Sequence, residues 1–326
     1  MRALPPDAWQ NPADGLARES EFRVRLMTEA DLPAVIAIDR KHTRRERTAF
    51  YRGKFAACVG EPGINTSLIA EFDGLPVGFL FGRVFFGEFG IPTSRAVLDA
   101  IAVLPDFRAQ GVATALLEQY RKNVSGLRVE AIDTLVEWNR FDLLEFFNAL
   151  GFRPSRAVDL VWDTVKHPFA GKAGAAKIRG ATAADLPAVA AIGAETGLPP
   201  QSGYFSAKLA AAARHPAKNL FIVAEHDGAV AAFMIGSLYQ GEFGIDEPRG
   251  VIDVFAVREA RQHHGIGSAI IAFLLARVHK LNIRCMETLV RWNHWALLEF
   301  YEHVGFRPSS RLNLECQMNP EARGSP

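Results

Sequence analysis

Cysteine is scarce in this chain of 326 residues: only Cys58, Cys285 and Cys316 occur. They are far apart, odd in number and without C-x-x-C spacing, which argues against a disulfide framework and a zinc site. The histidines show no metal-ligand spacing, so no metal is expected. No run of about 18 apolar residues exists, so no membrane span is expected. The opening MRALPPDAWQNPADGLARES lacks the apolar core of a secretory signal. It reads as a loosely ordered arm, 1–21, and a cytoplasmic location is the expectation. Charge of one sign is also missing. The net charge is +1, and neither half carries a large excess. A nucleic-acid binder would show a basic footprint, so no such partner is expected. The one basic cluster, RKHTRRER from Arg40 to Arg47, reads either as a solvated helix face or as an anion contact.

What the chain has is apolar residues and repetition. Hydrophobic residues make up 49% and charged residues 22%, the balance of a globular protein. FFNALGFRPS at Phe146–Ser155 returns as FYEHVGFRPS at Phe300–Ser309, an offset of 154. The same offset relates Asp31–Val35 to Asp185–Val189 (DLPAV) and Gly87–Ile91 to Gly241–Ile245 (GEFGI). Between Thr134 and Ser155, 14 of 22 residues equal their partners 154 positions later. A constant offset this long means a duplicated domain. The expected division is a domain over 22–165, a linker over 166–175 (KHPFAGKAGA) and a domain over 176–320.

Each repeat opens with a short strand, Phe22–Leu26 or Ala176–Gly180. A helix follows, capped by Thr28 or Thr182 with an aspartate three positions on. Asp73-Gly74 and Asp227-Gly228 sit between apolar runs and predict hairpins. A fourth strand is expected at Ala96–Val103 and Val251–Val257. A glycine-bearing turn and a long helix come next, then a fifth strand, a helix stopping at Gly151 or Gly305, and a last strand closing the repeat. The pattern predicts a mixed α/β sheet in each repeat.

The turn after the fourth strand reads Arg108-x-x-Gly111-x-Ala113 in one repeat and Gln262-x-x-Gly265-x-Gly267 in the other. A helix N-terminus leaves amides unpaired and carries partial positive charge. Small residues let a phosphate approach them. The alternative is close helix–strand packing. A Rossmann fingerprint would need a third glycine at the first strand, and a P-loop would need Gly-Lys-Ser/Thr. Neither is present.

With these turns and the aromatic-x-x-x-Gly-Phe endings, each repeat resembles a GNAT-superfamily N-acetyltransferase domain. The resemblance covers about Phe22–Val165 and Ala176–Asn319. It implies an α/β (α+β) fold: two tandem domains, each a mixed, mostly antiparallel sheet with flanking helices and a splayed central strand. It implies acetyl-CoA or another acyl-CoA as cosubstrate and an amine as acceptor. Pantetheine contacts would come from Ile101, Ala102 and Val103, and from Phe255, Ala256 and Val257. Arg108, Gln110, Gly111, Val112, Ala113 and Thr114 would form one pyrophosphate cradle. Gln262, His264, Gly265, Ile266, Gly267 and Ser268 would form the other. The Val257 N–H would stabilise the oxyanion.

Tyr301 holds the position of the family's proton donor to the leaving thiolate; Phe147 holds it in the first repeat and cannot donate. Packing alone is the alternative for Tyr301. Asp253, with Asp99 as its twin, is the expected base or a structural acceptor, and Glu88 and Glu242 are second choices. His263 and His264 read as exposed first-turn residues or as added charge near a phosphate, and Trp138 and Trp292 as sheet-end packing or, by the resemblance, as neighbours of the cofactor arm. The family's usual asparagine slot holds Arg140 or His294, a departure. The expected enzyme is an acetyltransferase acting through the second repeat, with the first as a built-in pseudo-dimer partner. The alternatives are two active repeats or a non-catalytic acyl-CoA sensor. Monomer and homodimer both stay open.

Overall fold

The computed structural model describes residues 22–56, 59, 64–86, 94–169, 171–198, 203–240 and 247–318. The N-terminal arm, Cys58 and the GEFGI turns with Glu88 and Glu242 lie outside the described residues. The first repeat runs β1 (Arg23–Leu26), α1 (Leu32–Thr43), α2 (Thr48–Phe55), β2 (Leu68–Phe72), β3 (Leu75–Phe86), β4 (Ser94–Val103), α3 (Val112–Ser125), β5 (Ala131–Glu137), α4 (Phe141–Ala149), β6 (Arg153–Pro154) and β7 (Ala157–Asp163). The second runs β8 (Lys177–Gly180), α5 (Leu186–Glu195), α6 (Tyr204–Arg214), β9 (Asn219–His226), β10 (Ala229–Gln240), β11 (Pro248–Val257), α7 (Ile266–Lys280), β12 (Cys285–Arg291), α8 (Trp295–Val304), β13 (Arg307–Pro308) and β14 (Arg311–Gln317).

Local signals produce the expected elements. Asp73-Gly74 and Asp227-Gly228 all have positive φ, the geometry of a tight hairpin turn. The Asp31 carboxylate accepts the Thr28 N–H at 2.8 Å, and Asp185 accepts the Thr182 N–H at 2.8 Å. Arg25 and Arg179 clamp these aspartates with two donors each and hold both carboxyls below their usual range. Each sheet carries one apolar core against its early helices and another against its late ones.

The central strands splay. The parallel ladder between β4 and β5 covers Arg95–Val97 against Ala131–Asp133, although β4 continues to Val103. The β11–β12 ladder covers Arg249–Val251 against Cys285–Glu287, and β11 continues to Val257. A register shift next to the point of departure leaves Asp99 or Asp253 unmatched on its strand, a β-bulge in both repeats.

The last strand corrects the expected organisation. Each closing strand joins the sheet of the other repeat. The sheet orders are β1-β2-β3-β4-β5-β14-β6 and β13-β7-β12-β11-β10-β9-β8. β14 pairs antiparallel with β5, and β7 with β12. The segment 22–165 therefore takes its β14 from 311–317, and 176–320 takes β7 from 157–163. Only Ser155 and Arg156 separate β6 from β7, and only Ser309 and Ser310 separate β13 from β14. Two-residue hairpins need positive φ, and none of the four residues has it. The chain runs straight on into the neighbouring sheet.

The exchange is tied at both crossings. Ser155 N–H donates to the Asn313 carbonyl and Ser309 N–H to the Asp159 carbonyl, both at 2.8 Å. Buried Arg311 donates to Glu287 at 2.6 Å and to Asp159 at 3.0 Å. Trp162, fully buried, carries the first repeat's chain into the second repeat's core, 5.4 Å from Phe306. Leu314 and Cys316 enter the first repeat's core in return.

Candidate active site

The second splay opens into a cavity of about 2040 Å³ that extends between the two sheets. Its lining joins β11, the start of α7, the end of β12 and α8, with Val257, Gly265, Ser268, Thr288 and Tyr301 among the residues. Arg83, Arg95, Asp133 and Glu315 of the first sheet form part of its far wall.

Backbone direction decides which groups of β11 are offered. Arg258 N–H donates to the Ala231 carbonyl at 2.8 Å. Ala232 and Val257 are therefore a non-hydrogen-bonded pair of the β10–β11 ladder. The Val257 N–H and carbonyl point away from β10, into the gap left by β12. Phe255 has the same orientation, whereas Ala256 turns its backbone to Phe233 of β10. Sequence reasoning took all three together; the pleat separates them.

Gly265 caps α7 with φ of +74°, a left-handed conformation that glycine adopts without strain. The amides of Ile266, Gly267 and Ser268 form the first turn, where no helical carbonyl is available to them. Gly267 has a different reason to be small. A Cβ there would lie 3.1 Å from both Phe255 and Phe300. Those rings stack at 5.0 Å, within 10° of parallel. His263 and His264 are exposed.

Tyr301 is 1% exposed and packs 4.8 Å from Phe306, yet it also lines the cavity. Burial pushes its phenol above the ordinary value, and a side-chain hydrogen bond with Thr288 works against that shift. The Thr288 hydroxyl also donates to the Ile252 carbonyl at 2.9 Å. Asp253 is buried and bonded to Lys208 at 3.3 Å. Lysine partners for both bulge aspartates escaped the sequence reading, although Lys54 and Lys208 obey the same offset.

The first splay is arranged otherwise. Val103 also faces its gap, because Leu104 N–H donates to Val77 and leaves Gly78 opposite Val103 unbonded. Its carbonyl is taken by His42 Nε2 at 2.5 Å. Arg108, the first motif residue, donates to His42 Nδ1 at 2.7 Å. Burial, the larger effect, lowers the His42 pKa, which favours the neutral ring that this pairing needs. On the other face, buried Asp39 holds Arg47 at 3.0 Å and Tyr51 at 2.9 Å, and Lys54 contacts Asp99. The basic cluster is thus mixed: Arg47 and His42 turn inward, while Arg40, Lys41, Arg44 and Arg45 are exposed. Trp138 and Trp292 do not pack at sheet ends; they are 60% and 54% exposed. Asn293 and His294 line the second cavity.

Two sheets with matching splays and a glycine-capped helix after each define a tandem acyltransferase architecture. The comparisons agree. A family model described as "Acetyltransferase (GNAT) family" matches residues 191–306, and one described as "Acetyltransferase (GNAT) domain" matches 64–154. The chain belongs to the GNAT acetyltransferases, with two such domains in tandem. Both matches stop before the exchanged strands. A GCN5-related N-acetyltransferase from Sphaerobacter thermophilus has a TM-score of 0.64 at 16% identity, over 92% of this chain and 96% of that one. A tandem GNAT protein from the clavulanic acid biosynthesis pathway has a TM-score of 0.59 at 16% identity, over 92% and 99%. At these identities the likeness is one of fold. No curated protein matches the chain. Among the described residues, no helix is long and apolar enough to cross a membrane.

Proposed function

We propose that the protein is an acetyl-CoA-dependent N-acetyltransferase that modifies a primary amine through its second domain. The observation that carries this reading is the contrast between the two clefts. In the second, the Val257 carbonyl accepts from Gln262 at 3.2 Å, but the Val257 N–H faces a cavity that also reaches Gly265, Asp253 and Tyr301. In the first, His42 and Arg108 close on Val103, and Phe147 replaces the tyrosine.

The residues fit the cosubstrate. The Phe255 and Val257 backbone groups match the amides of a pantetheine arm, and the α7 first turn matches a pyrophosphate. Acetyl-CoA supplies the thioester whose carbonyl carbon an amine attacks. The Val257 N–H is directed at the gap where an oxyanion needs a donor. Tyr301 remains protonated well past neutral pH and holds a proton for the departing sulfur. Asp253 is the proposed acceptor of the amine proton. Its lysine side chain is 19% exposed, whereas that of Lys54 in the twin pair is 8% exposed. Lys208 is bonded to Asp253 at 3.3 Å, so the incoming amine must displace or share that contact. The first domain contributes the exchanged strand β7 and the cavity's far wall.

Thiol release from acetyl-CoA with a panel of primary amines tests the activity. Acetylation in the parent and its loss in Tyr301→Phe are the expected results. No release with any amine, despite CoA binding, favours the acyl-CoA sensor instead.

A further inference from the structure

The segment between β7 and β8 was expected to be a linker between domains. Because β7 already belongs to the second sheet, 164–176 begins and ends on the second domain. Its path crosses the start of α7. Gly174 N–H donates to the Gly265 carbonyl at 2.9 Å. A Cβ on Gly265 would lie 2.6 Å from Gly174 N and 2.9 Å from the Lys172 carbonyl. A Cβ on Gly174 would lie 2.0 Å from the His264 carbonyl. A Cβ on Gly171 would come 3.2 Å from Ser268 Oγ. The strap is therefore seated on the cradle residues themselves. Gly111, the twin of Gly265, has nothing within 4 Å of its added Cβ among the described residues.

Charge gives the strap a role. The first motif position is Arg108 in one repeat and uncharged Gln262 in the other. A phosphate on the second cradle meets backbone dipoles but no arginine from that position. Nearby Arg261 is bonded to Asp227 at 2.8 Å, and Arg258 contacts Glu195. Lys172 lines the cavity beside Gln262, His264 and Gly265, is exposed, and forms no ion pair among the described residues.

We propose that the strap is part of the second domain's phosphate site: Lys172 supplies the cation that Gln262 does not, and Gly174 lets the strap lie close enough to deliver it. The ligand class is the pyrophosphate of a CoA-type nucleotide. This inference rests on the second domain being the one that binds acyl-CoA. It makes the strap a determinant of affinity that is specific to one half.

Calorimetric titration of the full chain with CoA and with dephospho-CoA tests it. Lys172→Ala should weaken both ligands about tenfold, the scale of one charge-assisted hydrogen bond. Lys172→Arg should restore most of the affinity. Gly174→Ala should weaken both as well, because its Cβ lifts the strap from His264. Thermal melts of each variant check that the fold is intact. Unchanged CoA affinity in Lys172→Ala, with the parent binding, overturns the strap inference alone. Weakening confined to CoA would place Lys172 on the 3′-phosphate and overturn the pyrophosphate assignment. If the parent binds neither ligand, the acyl-CoA reading itself fails.

Discussion

The two halves have the same strands, the same bulged aspartate with its lysine, and the same clamped helix start, yet their clefts differ. In the first, side chains of the protein itself occupy the exposed edge of β4. His42 is bonded to Val103, Arg108 to His42, and Asp39, Arg47 and Tyr51 form a buried cluster behind. The corresponding residues in the second half are Thr196, Gln262, Gly193, Gln201 and Phe205. Thr196 turns its hydroxyl back to the Ile192 carbonyl at 2.9 Å, and Gln262 Nε2 donates to the Val257 carbonyl at 3.2 Å, so the Val257 N–H is the group left facing the cavity. The lesson is that duplication preserved the frame, while a handful of side chains decided which gap stays open.

The sharpest way to break this comparison is to destroy one cradle at a time. Gly265→Glu should abolish CoA binding in a titration that gives one site per chain for the parent. Gly111→Glu should leave that site's affinity unchanged. A retained site in Gly265→Glu, or a stoichiometry of two, would return the first half to the list of binders. Next in size is the exchange. Trp162→Ala should cost about 3–5 kcal/mol, as for other fully buried large side chains. Hydrogen exchange should place the loss in the second sheet and α8, although Trp162 belongs to the first repeat. Loss confined to the first sheet would contradict the exchanged arrangement.

Tyr301→Phe should lower kcat at least about tenfold with little change in KM, within the range of a general acid. Phe147→Tyr should leave the rate alone. Because burial raises the Tyr301 pKa, the phenol stays protonated as pH climbs to its ordinary value of about 10, so no alkaline loss of activity below that pH should trace to it. A basic limb that vanishes in Tyr301→Phe would overturn this. The smallest effect should be shared by both halves. Asp31 and Asp185 are held below the usual carboxylate range, so they contribute stability above pH about 4 that is lost as pH falls through their lowered values. Amide protection near both helix starts should decline together below that pH; a decline on one side only would show that the clamps are not equivalent.

Much of this was legible in the sequence. The offset of 154 exposed the duplication, the Asp-Gly pairs fixed the hairpins, and the glycine turns marked the helix starts after β4 and β11. Tyr301 could be singled out because its twin lacks a hydroxyl. Other parts were misread for physical reasons. Gly267 looked like a phosphate neighbour, but its small size also accommodates two stacked phenylalanines. Ala256 sits in the right tripeptide with its backbone turned to the sheet. Residues 166–175 have a linker's composition, and composition carries no record of which strand they follow in space. Trp138 and Trp292 read as sheet-end packing but stand exposed.

The sequence by itself determined the elements, their order, their repetition and the motif that points to acyl-CoA, because hydrophobic period, caps and turns act over a few residues. Only the tertiary structure decided that β7 and β14 trade sheets, that His42 closes one cleft, and that Lys172 reaches the other. Those outcomes depend on partners far apart along the chain. Either sheet could accept either closing strand, since the two repeats present nearly the same edge. The two-residue connections, with no positive φ, carry the chain on into the neighbouring sheet rather than back along its own.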